Sequence, residues 1–331
     1  MSAGRTAWTH DALVAGVVAG EPRALARAIT LVENGAPEGE ALVRELYPRT
    51  GRATIVGVTG PPGVGKSSLV SALVAHLRVG GSSVGVVSVD PSSPFSRGAL
   101  LGDRIRLADH FLDPGVFIRS MGTRGHLGGL AEATLQALLL LDASGKDVLL
   151  VETVGTGQSE VEVMGIADVV LLALMPGAGD SVQALKAGIM EIPDVIVVNK
   201  ADHPGASSMV AEVRSVVGLE PNPARRPAVL ATSAVSGEGV AELWDELVAR
   251  REALVEQGAL AGRRRRNLVD DVVALAASRL RRRLEASVVE DDEMRELVES
   301  VQRREVDPLT AVARLVEHVA QGGAQDATDA G

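Results

Sequence analysis

Thr54-Ile55-Val56-Gly57-Val58-Thr59 runs directly into Gly60-Pro61-Pro62-Gly63-Val64-Gly65-Lys66-Ser67-Ser68, and Leu69, Ala72, Leu73, His76 and Leu77 then recur at helical spacing. A buried strand, a glycine-rich turn and a helix are expected in that order. The turn fits G-x-x-x-x-G-K-[ST], the phosphate-binding P-loop. Its glycines let the backbone curl so that N–H groups converge on phosphate oxygens, Lys66 reaches the β/γ-phosphates, and the Ser67 hydroxyl sits on Mg²⁺. The helix N-terminus adds its dipole and free N–H groups. The expected nucleotide-binding set is Gly60, Pro61, Pro62, Gly63, Val64, Gly65, Lys66, Ser67 and Ser68, with Lys66 catalytic.

Working outward, short β-rich runs recur at residues 84–89, 116–119, 148–151, 169–174, 195–198 and 229–232, with helical patterns such as 130–141 between most of them. That alternation predicts βαβ units. The fold class is therefore α/β: a P-loop NTPase with a mostly parallel sheet flanked by helices and with helical N- and C-terminal extensions. In such sheets ligands bind beyond the carboxyl ends of the strands. Residues 1–50 read as a helical extension, 51–250 as the nucleotide-binding domain, and 251–331 as a C-terminal helical dimerisation arm with a disordered tail from Gln321. The arm opens on Arg263-Arg264-Arg265-Arg266, continues through Arg281-Arg282-Arg283, and turns acidic at Glu290-Asp291-Asp292-Glu293.

Composition narrows the function. With 46% hydrophobic but only 2% aromatic residues, the core must be Val, Leu, Ala and Ile, which suits a covered parallel sheet. A formal net charge of −10 argues against a nucleic-acid partner held by bulk electrostatics. The absence of cysteine excludes a disulfide framework and a thiolate metal site. No run approaches the ~18 apolar residues of a membrane span, and residues 1–10 lack a leader pattern, so a cytoplasmic protein without a membrane partner is expected.

The chemistry-bearing residues follow the strand runs. Val195-Ile196-Val197-Val198 is followed by Asn199-Lys200-Ala201-Asp202, an N-K-x-D pattern. Guanine presents N1–H and its 2-amino group side by side. One carboxylate, Asp202, can accept both, whereas adenine offers no such pair of donors. Asn199 is expected at the base edge, the Lys200 stem over the base face, and Ser233 and Ala234 as a second guanine contact. The Mg²⁺ shell is expected from Ser67, Asp90, Asp103 and Glu152, since this ion takes few carboxylates and keeps several waters. Asp90 and Glu152 are also read as catalytic. Gly155, in Glu152-Thr153-Val154-Gly155, can donate its N–H to the γ-phosphate, which makes the loop a switch. Thr156 stands where small GTPases carry a water-orienting Gln, so slow intrinsic hydrolysis is expected. Arg97, Arg104 and Arg124 read as structural or surface residues, and the six histidines show no metal-ligand spacing.

On these motifs, and on Val89-Asp90-Pro91-Ser92-Ser93-Pro94, Arg124-Gly125-His126-Leu127-Gly128-Gly129 and Glu152-Thr153-Val154-Gly155-Thr156-Gly157-Gln158-Ser159-Glu160, the chain resembles the MeaB/MMAA-type (ArgK-like) G-protein chaperones of the SIMIBI class of P-loop GTPases. The resemblance implies a homodimer that binds and hydrolyses GTP to GDP with Mg²⁺. It also implies service to an adenosylcobalamin-dependent acyl-CoA mutase, usually methylmalonyl-CoA mutase, by gating cofactor loading and protecting the enzyme. Residues 90–109 and 152–162 would be the first two switches and 177–186 a third that signals to the mutase. That third segment keeps Asp180, Gln183 and Lys186 but has Ala187 where the family often has a second lysine. Two other readings stand beside this one: a nickel- or cobalt-handling metallochaperone GTPase, which would need a Cys or His cluster, and a P-loop kinase, which Asp202 argues against.

Overall fold

In the computed structural model, residues 8–90, 107–122, 129–153, 165–177 and 193–329 are described. Three helices come first: α1 (His10–Val18), α2 (Pro22–Glu33) and α3 (Pro37–Leu46). Thr9 caps α1 by accepting from Ala12 N, and proline opens both α2 and α3, where its missing N–H costs nothing. The chain then alternates: β1 (Thr54–Thr59), α4 (Lys66–Val79), β2 (Val84–Asp90), β3 (Val116–Gly122), α5 (Gly129–Ala143), β4 (Val148–Thr153), β5 (Val169–Leu174), β6 (Val195–Val198), α6 (Ala206–Val217), β7 (Ala228–Ala231) and α7 (Val240–Glu256). Three helices end it: α8 (Ala259–Glu290), α9 (Asp292–Gln302) and α10 (Pro308–Asp329). The helix thus continues past Gln321 to Asp329, where composition had suggested an unstructured tail.

The seven strands among the described residues are all parallel, in the order β3-β2-β4-β1-β5-β6-β7. The central strand β1 lies between β4 and β5, so the P-loop leaves the middle of the sheet. Along β5 successive residues face opposite layers. Val169, Leu171 and Ala173 join the core under α4 and α7 with Leu69, Leu73, Leu243 and Leu247. Val170 joins the core under α2 and α5, while Leu172 and Leu174 pack with Met209 and Val213 of α6. Burial on both faces explains why these strands read as continuous apolar runs. The N-terminal helices belong to this core: Leu25, Ile29 and Leu42 are buried with Leu138 and Leu141 of α5, and Arg119 of β3 bonds Glu33 of α2.

The chain forms two compact units, Met1–Leu268 and Val269–Gly331, and α8 passes from one to the other. In the second, α9 packs with α10. Asp291 caps α9 by accepting from Glu293 N and Met294 N, and its carboxylate lies 3.1 Å from His318. Leu309, Val312 and Val316 lie exposed on α10.

Candidate functional site

The P-loop closes tightly on its neighbours. Gly60 has φ +143°, and a Cβ there would sit 2.1 Å from the Ala173 carbonyl oxygen of β5. Gly65 has φ +91°, and a Cβ there would meet the Asn199 amide nitrogen at 2.7 Å. Only glycine tolerates both the conformation and the approach. Lys66 opens α4 and is 6% exposed. Its ammonium donates to the Gly60 carbonyl at 2.5 Å and the Pro61 carbonyl at 3.1 Å, which holds it over the loop mouth.

Beside it, the β1–β4 register sets Val58 opposite Glu152. Glu152, 3% exposed, accepts from the Ser67 hydroxyl at 2.7 Å. A hydroxyl and a carboxylate converging next to a phosphate-binding loop are the hard-oxygen donors that Mg²⁺ takes. Among the described residues no group of three or more His, Cys, Asp or Glu could hold a metal by itself. The backbone of Asp90 ends β2 opposite Gly122. Its side chain lies outside the described set, as do Asp103, Gly155, Thr156, Arg97, Arg104, Arg124, His126 and residues 178–192, which include most of the expected third switch.

At the end of β6, Asn199 is 2% exposed and hydrogen-bonded through both its amide nitrogen and its oxygen. Its amide donates to the Val64 carbonyl at 2.9 Å, and its oxygen accepts from Ala234 N at 3.2 Å and the Thr232 hydroxyl at 3.3 Å. Asn199 thus stitches the P-loop to the base loop. Lys200 adopts φ +59°, uncommon for a residue with a side chain, and donates to the Gly63 carbonyl at 3.0 Å. The Met175 sulfur, just beyond β5, lies 3.2 Å from the same ammonium, a contact that no sequence motif marks. Asp202 is exposed and accepts from the Ser233 hydroxyl at 3.1 Å, which fixes one oxygen and leaves the carboxylate facing outward. The Ser233 N–H donates to the Glu238 carbonyl at 3.0 Å.

The described histidines do not converge. His110 bonds Ser71 of α4, His10 bonds Glu45, and His203 bonds the Pro204 carbonyl.

A parallel sheet with a P-loop on its central strand, a buried acid on the neighbouring strand and an N-K-x-D loop stitched to that P-loop define a P-loop GTPase. The model of the methylmalonyl-CoA mutase-associated GTPase MeaB matches residues 25–289, and the chain belongs to that family. It is 45% identical over 317 residues to a GTPase of Pyrococcus abyssi, covering 95% of this chain and 98% of the relative. It is 35% identical over 310 residues to GTPase ArgK of Escherichia coli, covering 91% and 93%. The mitochondrial methylmalonic aciduria type A homolog of Mus musculus is 37% identical over 273 residues, covering 77% of this chain and 66% of the relative. The crystal structure of a LAO/AO transport system kinase superposes with a TM-score of 0.68 at 28% identity, covering 97% of this chain and all of that one.

Proposed function

We propose that this GTPase is a chaperone of an adenosylcobalamin-dependent acyl-CoA mutase, with methylmalonyl-CoA mutase as the first partner to test. The observation that carries the reading is the family match over residues 25–289, supported by the name of the mouse relative. The working unit is a homodimer in the cytoplasm. Among the described residues no helix is long and apolar enough to cross a membrane.

Asp202, oriented by Ser233, selects guanine, and Asn199 holds the base loop against the P-loop. Lys66 exchanges the Gly60 and Pro61 carbonyls for phosphate oxygens. Ser67 and Glu152, with Asp90 and Asp103, would hold Mg²⁺, which neutralises charge on the β- and γ-phosphates. Gly155 and the segment after it report the γ-phosphate, and residues 177–186 pass that state to the mutase. The proposal is tested by calorimetric titration of the mutase with this protein loaded with GDP or a non-hydrolysable GTP analogue. A complex whose affinity differs between the two nucleotides is expected; no complex in either state would end the proposal.

A further inference from the structure

Two adjacent arginines at the root of α8 reach under the sheet, at the end opposite the nucleotide site. Arg263 makes a two-pronged bond to Asp194, Nη1 to Oδ2 at 2.7 Å and Nη2 to Oδ1 at 2.9 Å, and also donates to the Asp168 carbonyl at 2.7 Å. Arg264 does the same to Asp168, with Nε to Oδ1 and Nη2 to Oδ2 both at 2.7 Å, and donates to the Gly51 and Ala53 carbonyls at 3.0 and 3.2 Å. Bidentate charge-assisted pairs of this kind fix orientation as well as distance.

The two aspartates sit where strands begin. Asp194 immediately precedes β6. Its N–H donates to the Val170 carbonyl and its carboxylate accepts from Val170 N, both at 2.9 Å, so it locks the start of β6 to the start of β5. Asp168 immediately precedes β5. Its N–H donates to the Ile55 carbonyl at 2.8 Å and its carboxylate accepts from Ile55 N at 3.2 Å, which locks β5 to β1. At the other ends of these strands, β1 delivers the P-loop and β6 delivers Asn199 to Asp202. β6 has four residues, all buried, so it transmits its starting height to Asn199 over about 16 Å of extended chain.

We propose that Arg263 is a positioning residue for guanine recognition, acting through Asp194 to set the height of the base loop relative to the P-loop. Its side chain stands at the far end of the strand and touches no part of the nucleotide site. A guanidinium gripping both oxygens holds Asp194, and with it β6, in the register that places Asp202 for the base and Asn199 for Val64. The proposal rests on Asn199-Lys200-Ala201-Asp202 being the loop that reads the base.

The test is the ratio of GDP to ADP affinity, measured on the full chain with fluorescent N-methylanthraniloyl derivatives of the two nucleotides. A variant that only lowers the folded fraction scales both affinities together and leaves their ratio alone, whereas a displaced base loop lowers GDP affinity selectively. Arg263→Gln is expected to reduce the ratio about tenfold, within the range of measured site-to-site couplings. Arg281→Gln, which breaks an exposed pair with Glu285 on the same helix, is expected to leave it unchanged. Arg263→Lys keeps the charge but not the two-pronged bond and is read the same way, so it carries the test if the Gln variant does not fold. A parental ratio in a folded Arg263 variant, alongside a collapsed ratio in Asp202→Asn, would overturn the positioning role alone. A parental ratio in Asp202→Asn would overturn the base-loop reading and the positioning role with it.

Discussion

Replacing Asn199 with alanine removes the link between the P-loop and the base loop. Three hydrogen bonds disappear: one to the Val64 carbonyl of the P-loop, one from Ala234 N and one from the Thr232 hydroxyl. The side chain is 2% exposed, so water does not readily replace it. At about 1 kcal/mol net for each bond, the loss is about 3 kcal/mol. The bonds preorganise two loops that nucleotide must bridge, so most of this loss falls on affinity. The expected result is about a hundredfold weaker binding of GDP and GTP. A smaller part falls on stability, because the sheet beneath remains intact. The assay is equilibrium titration with a fluorescent guanine nucleotide, paired with a thermal melt of the nucleotide-free protein. An affinity within about threefold of the parent would refute the stitching role, since even one lost bond of this kind costs more.

Other perturbations give equally direct outcomes. Gly60→Ala forces a Cβ to 2.1 Å from the Ala173 carbonyl at φ +143°, and with backbone on both sides nothing flexible can move. It should lose nucleotide binding and melt well below the parent, by about 3 kcal/mol or more in denaturant unfolding. Asp202→Asn should weaken GTP binding and favour xanthosine triphosphate, whose O2 can accept from the new amide; competition titrations of the two nucleotides decide it. Asp147 is held below its ordinary carboxylate range, first by the backbone N–H of Ser83 and then by the Ser83 hydroxyl. Its contribution to stability is therefore present above about pH 4 and lost as pH falls through its lowered native value. Asp147→Asn should flatten that acid limb in urea titrations run at successive pH values, and an unchanged limb would show that the Ser83 bonds contribute little.

Much of this was legible because local chemistry dictated it. The P-loop announces itself through Gly60 and Gly65, whose type is forced by positive φ and close approaches, and through Lys66, the cation that opens the following helix. The strand runs at 169–174 and 195–198 matched β5 and β6 to the residue, since both are buried on both faces and their apolar character stops where the core stops. The last strand run, read at 229–232, lies one residue earlier in β7, an edge strand whose half-exposed residues blur the signal. The role of Asn199 was less legible. A short motif names the residue, but the partner Val64 is 135 positions away, and the sequence carries no mark of the pairing. The arginine run was least legible. Arg263-Arg264-Arg265-Arg266 reads as a charged helical face, yet its first two members lie against the sheet while Arg265 and Arg266 stay exposed. Their partners Asp168 and Asp194 look like ordinary turn residues before strands. Only the parallel topology, which collects the starts of β1, β5 and β6 on one edge, brings these charges together.

The claim that this GTPase serves a cobalamin-dependent mutase is tested most directly by GTP turnover with and without that enzyme. Phosphate release is measured for the purified protein alone, then with purified methylmalonyl-CoA mutase from the same organism at saturating concentration. Slow turnover alone is expected, because Thr156 stands where a water-orienting glutamine would be, and a clear acceleration with the mutase that Lys66→Ala abolishes. Turnover that is unchanged by the mutase, with no complex formed in either nucleotide state, would contradict it.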